Sequence, residues 1–102
     1  MISEEKLQTH EDLSVYKKSL DLVESVYKIT LNYPSDEKFG LISQMRRSAV
    51  SVPSNISSGS LSELKTQVEI SKRLGYISNS SIIVKIDEIK KMLFGLIKSL
   101  KK

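Results

Sequence analysis

A chain of 102 residues, 39% apolar and 27% charged, has the size and composition of one globular domain, which excludes a disordered or low-complexity protein. It has no Cys and a single His, His10, so neither a disulfide nor a thiolate or multi-histidine metal centre can form, and no cofactor or metal is expected. Net charge is a modest +4, no apolar stretch approaches the roughly 20 residues that cross a bilayer, and the acidic, polar start is not laid out as a signal peptide. A cytoplasmic protein with no membrane partner is the expectation.

Helix-forming residues dominate. After a polar lead over residues 1–8, Thr9 with Asp12 three positions on predicts a helix start, with an acid near the positive end of the dipole. Leu13, Tyr16, Leu20, Val23 and Tyr27 then recur at spacings of three and four, one face of a helix over residues 10–32. This face is expected to enter the core. A second stripe, Val15, Leu22, Val26, Ile29 and Tyr33, follows the same periods on another side. A helix apolar on two sides is either deeply buried or faces two partners, so this second stripe is the expected oligomer interface.

Asn32-Tyr33-Pro34-Ser35 breaks the pattern, and Ser35 with Asp36 and Glu37 predicts a second helix over residues 36–57. Its buried positions are Ile42, Met45, Ala49, Val52 and Ile56, and Pro53 should kink or distort its last turns. Ser57-Ser58-Gly59-Ser60 is the next break. Ser60 and Glu63 form a capping-box pattern for a short third helix over 61–74, with Leu61, Leu64, Val68 and either Ile70 or Leu74 inside and Gly75 at the left-handed position beyond its end. The fourth helix, over 80–100, has the cleanest repeat: Ile82, Ile86, Ile89, Leu93, Leu96 and Leu100. No segment sustains the period-two alternation of a strand. The expected fold is all-α, an up-down-up-down four-helix bundle with a shortened third helix, in one domain over residues 1–102.

Five basic doublets stand out: Lys17-Lys18, Arg46-Arg47, Lys72-Arg73, Lys90-Lys91 and Lys101-Lys102. Those at helix ends are explained by the dipole, and Lys17 has Asp21 four residues on as an ordinary surface pair. The candidates for a nucleic-acid contact are Lys17, Lys18, Arg46, Arg47, Lys72 and Arg73, with Arg favoured because its planar fork matches phosphate. No aromatic interleaving of an RNA-recognition type accompanies them. The chain lacks a Gly-rich phosphate loop, a nucleophile elbow and a zinc-protease motif, and its carboxylate pairs are sequence neighbours that point to different sides of a helix, so no enzymatic activity and no small-molecule substrate are expected.

The segment Asp36-Glu37-Lys38-Phe39-Gly40-Leu41, followed by Gln44-Met45-Arg46-Arg47-Ser48-Ala49-Val50-Ser51-Val52-Pro53-Ser54-Asn55-Ile56, resembles the four-helix-bundle proteins encoded in intervening sequences of bacterial 23S ribosomal RNA genes. The opening Glu11-Asp12-Leu13 with Tyr16 fits that pattern, as do Gly59-Ser60-Leu61-Ser62-Glu63-Leu64, Leu74-Gly75-Tyr76-Ile77 and Ile89-Lys90-Lys91-Met92-Leu93. The resemblance implies a homopentamer with no known enzymatic activity and an unsettled role. It also implies kinship with the accessory protein of diversity-generating retroelements, a basic pentamer that works with a reverse transcriptase and nucleic acid. The chain departs from the pattern after Ile56, where the family carries a further basic stretch at the start of the third helix. Two functions therefore stand as expectations: an oligomeric bundle that binds RNA or DNA non-specifically, and a protein-interaction scaffold with no nucleic-acid role.

Overall fold

Four helices and one short turn make up the computed structural model, which describes residues 10–55, 58–78 and 81–100, with side chains from Leu13 to Ser99. Helix α1 is His10–Thr30, α2 is Leu41–Asn55, α3 is Ser58–Arg73 and α4 is Ser81–Leu100, with a 3₁₀ turn at Ser35–Glu37 between the first two. No strand occurs among the described residues. The positions expected of Thr9, Ile56, Asn79 and Ser80 lie outside them.

The helix ends show how local chemistry set the boundaries. α2 starts at Leu41 rather than at residue 36, because the segment before it closes a 3₁₀ turn whose amides pair at Glu37 N–Pro34 O (3.0 Å) and Lys38 N–Ser35 O (3.1 Å). The Glu37 carboxylate then accepts the Leu41 amide from outside the helix (3.3 Å), satisfying one of its orphan donors. Pro53 sits in the last turn of α2, which runs only two residues further. α3 starts at Ser58, so Ser60 falls inside its first turn instead of preceding it. With 16 residues against 15 for α2, α3 is not distinctively short; α2 and α3 form a matched short pair beside the longer α1 and α4. Its other end follows expectation: Gly75 takes φ +78° and the Tyr76 amide reaches back to Ser71 O (2.9 Å) while Gly75 N bonds Lys72 O (3.0 Å), a Schellman closure.

α1 packs on α2 and α4, α3 packs on the same two, and the backbones of the diagonal pairs stay apart. Cross-links fix the senses. Lys18 and Ser25 of α1 meet Glu88 and Lys85 of α4, while Arg47 and Met45 of α2 meet Glu63 and Ser71 of α3. Both pairs run antiparallel, and Arg46 near the start of α2 meets Tyr27 and Thr30 at the end of α1, so the chain goes up, down, up and down in a body of 45 × 20 × 18 Å. Met45, Ala49 and Val52 of α2, Leu61, Leu64 and Val68 of α3, and Ile82, Ile86, Ile89, Leu93 and Leu96 of α4 fill the interior as expected. In α3 the remaining inward positions belong to Gln67 and Ser71; Ile70 and Leu74 are exposed.

The first helix is turned the other way from its expected orientation. Val15, Leu22, Val26 and Tyr33, the stripe expected at a subunit interface, are buried by their own chain, and Ile29 packs partly buried against them. Leu13, Leu20 and Tyr27, expected inside, are exposed. The reason is polar but small: the buried stripe includes Ser19 and Thr30, whose hydroxyls donate to the carbonyls of Val15 (2.7 Å) and Val26 (2.8 Å). Satisfied within their own helix, they enter the core at little cost.

Candidate functional site

α1 has three sides: one in the core and two flanks reaching solvent beside different neighbours. On the α2 side Leu13, Leu20 and Tyr27 repeat every seventh residue at 41%, 44% and 41% exposure, with Tyr16 and Val23 half-buried between them. From α2, Arg46 lays its guanidinium over the Tyr27 ring (4.5 Å to the centre) and donates through Nε to Thr30 Oγ1 (3.0 Å). Val50 and Pro53 follow Arg46 by one and two turns on the same side of α2, and Val50 is exposed. The result is a contiguous apolar strip along the α1/α2 edge, closed at one end by a cation over a ring.

On the α4 side α1 is wholly different. Lys18 pairs with Glu88 (2.5 Å), Lys28 with Glu24 (2.9 Å), and Lys85 donates to Ser25 Oγ (2.8 Å). The hydrogen bond and charge of Glu88 hold Lys18 above the ordinary lysine value, and the Lys28 hydrogen bond holds Glu24 below the ordinary carboxylate value.

Between α2 and α3, Glu63 gathers three donors on one oxygen: Arg47, Ser48 (3.0 Å) and Gln67 (3.3 Å). The Ser48 hydroxyl and then Arg47 keep this carboxylate ionised below the ordinary glutamate range. At the end of the bundle the Tyr76 hydroxyl donates to Glu37 (2.8 Å) and its ring packs on Tyr33 at 5.2 Å between centres.

The six basic candidates are not brought together. Lys18, Arg46 and Arg47 are engaged with Glu88, Tyr27 and Glu63. Lys17, Lys72 and Arg73 make no ion pair among the described residues, but Lys17 is on α1 and the other two end α3, its diagonal neighbour. Sequence reasoning noted the Lys90-Lys91 doublet but missed its grouping with Phe94 and Lys98 on the outer face of α4. Its signal was available as segmental charge: residues 81–102 hold six Lys and two acids, while residues 1–80 hold ten basic and ten acidic residues. Among the described residues no cluster of His, Asp or Glu could hold a metal ion, and no helix is long and apolar enough to cross a membrane.

These features define an all-helical, up-down-up-down four-helix bundle. Residues 11–60 match the family model described as 23S rRNA-intervening sequence protein, and the chain belongs to that family. The matched segment contains the whole α1/α2 edge and stops before α4. No curated protein matches the chain.

Proposed function

We propose that the protein is a non-enzymatic homo-oligomer, joined through the α1/α2 edge, that binds RNA or DNA by phosphate charge without reading sequence. The observation that carries the reading is the exposed stripe of Leu13, Leu20 and Tyr27 beside Val50. A bundle helix keeps one face in water, and a solvent face built of Leu and Tyr at heptad spacing is the kind of surface that a second copy covers. The pentamer implied by the family resemblance would repeat each basic surface around a ring and sum their fields.

Native mass spectrometry of the wild type and of Leu20→Asp tests the assembly. The wild type should be oligomeric, and the variant monomeric with an unchanged helical circular dichroism spectrum. A wild type that is monomeric at micromolar concentration overturns the reading; if it then captures a defined partner protein through the same edge, the scaffold function takes its place. Nucleic-acid affinity should fall steeply with salt, because phosphate contacts release counterions.

A further inference from the structure

The positive charge of this protein is not spread over it. Residues 1–80 balance, and the whole excess of +4 lies in residues 81–102. The structure concentrates it further. The two acids of α4 are both neutralised by neighbouring helices, Asp87 by Lys65 of α3 (2.9 Å) and Glu88 by Lys18 of α1 (2.5 Å). Lys90, Lys91 and Lys98 have no counter-ion among the described residues.

Geometry places them together. Lys90, Phe94 and Lys98 are four residues apart, one turn each, so they line up over about 12 Å at 1.5 Å per residue, and Lys91 stands beside them. Phe94 is 74% exposed, and a shallow groove is lined by its ring, Lys90, Lys91 and the neutralised Asp87 and Glu88. Asp87, two turns before Phe94, meets α3, so the ring is on the side of α4 away from α1. α4 is also diagonal to α2. The surface therefore lies away from the apolar α1/α2 edge and stays open in an assembly formed there.

An aromatic ring in water, flanked by unpaired ammonium groups, fits a partner with regularly spaced anions and flat apolar faces. We infer that the outer face of α4 binds single-stranded nucleic acid, with Lys90, Lys91 and Lys98 on phosphates and Phe94 as the platform on which an unpaired base stacks. Stacking on a ring needs a base free of its duplex, and it tolerates any base because each has a π-face. A duplex offers the lysines their phosphates and the ring nothing. A lipid surface fits less well, since the exposed apolar residues of α4, Val84, Phe94 and Ile97, are dispersed among lysines, whereas an interfacial helix lays down a broad apolar side, and that side of α4 is in the core.

The inference rests on the nucleic-acid part of the proposed function and is tested separately from it. Fluorescence anisotropy is measured with a single-stranded 20-nucleotide probe and its duplex, on the wild type, Phe94→Ala and Lys90→Gln/Lys91→Gln, each checked for unchanged helicity. The wild type should prefer the single strand. Phe94→Ala should lose about fivefold or more in single-strand affinity, with little change for duplex. The double lysine variant should weaken binding and flatten the salt dependence by about 0.7 in slope for each phosphate it no longer neutralises. No binding by the wild type near 50 mM salt removes the nucleic-acid reading itself. Binding with equal affinity for the duplex, or unaltered in Phe94→Ala, leaves that reading intact and overturns this one. Binding to anionic phosphatidylserine vesicles, abolished in Phe94→Ala and without oligonucleotide affinity, assigns the face to a membrane surface and overturns it as well.

Discussion

The two solvent flanks of α1 are built on opposite principles. Toward α4, Lys18, Glu24, Ser25 and Lys28 meet the complementary groups of α4 and of their own helix in ion pairs and a hydrogen bond. That flank is finished: its polar groups have partners and its surface is compatible with water. Toward α2, the same helix presents Leu13, Leu20 and Tyr27, and the Arg46 guanidinium of α2 is laid over the Tyr27 ring. Arg46 covers part of the apolar strip with its stem and guanidinium, but the strip continues past it. The contrast teaches that a bundle can be closed and still be incomplete, since the core is filled while one edge keeps an apolar surface that nothing among the described residues covers.

The most severe way to break the comparison is to exchange the roles of neighbouring leucines. Leu22 is 0% exposed and Leu20 44%. Leu22→Ala should lower unfolding free energy by about 2–5 kcal/mol, the cost of lost burial plus a cavity. Leu20→Ala, measured in dilute protein below the concentration of assembly, should stay within about 0.5 kcal/mol of wild type. Urea unfolding followed by circular dichroism separates the two. Equal losses would mean that the α2 flank is core after all.

A subtler intervention falls on Arg46. If its work is to tie α2 to α1, then Arg46→Lys, which keeps the charge but loses the Nε–H donor and the planar stack on Tyr27, should cost about 1 kcal/mol of stability. If instead it is held ready for a phosphate, the substitution should leave thermal unfolding untouched and weaken oligonucleotide binding.

How much of this could be read from residues alone depends on what each helix hides. α4 was legible from Ile82 to Leu96 because its inward positions there are all Ile or Leu. α3 was legible up to Val68 and then misleading, because Gln67 and Ser71 enter the interior with bonds to Glu63 and to the Gln67 carbonyl one turn back, and with Ser71 against Met45 of α2. α1 offered two apolar stripes of similar length, and the buried one is the stripe with which Ser19 and Thr30 align. Periodicity cannot know that Ser19 and Thr30 satisfy themselves on their own backbone. That α1 is apolar on two sides was therefore legible, and which side faces outward was not. The same holds for the basic candidates: Arg47 and Ser48 are innocuous in sequence until Glu63 comes to meet them from α3. The charge excess of the last helix needed no structure at all, only a count by segment.

The smallest expected effect sharpens the contrast between the flanks most directly, because salt acts on them with opposite sign. The folded-state value of Lys18 is raised, so its contribution to stability is fully present below the ordinary lysine value and is lost only as pH climbs through the raised one. Across neutral pH the Lys18–Glu88 pair is thus constant, and salt becomes the lever. Raising salt toward roughly 1 M shortens the screening length to about 3 Å and should remove the small benefit of this half-exposed pair. Wild type and Glu88→Gln, distinguishable in thermal unfolding at low salt, should then converge. Over the same titration with a sulfate salt, association through the Leu13, Leu20 and Tyr27 strip should hold or strengthen, since excluded salts favour apolar burial. Both readouts come from one protein, and each flank acts as the control for the other. An assembly that dissolves as the α1/α4 pair is screened would place the subunit contact on the charged side of α1 and rule out the apolar one.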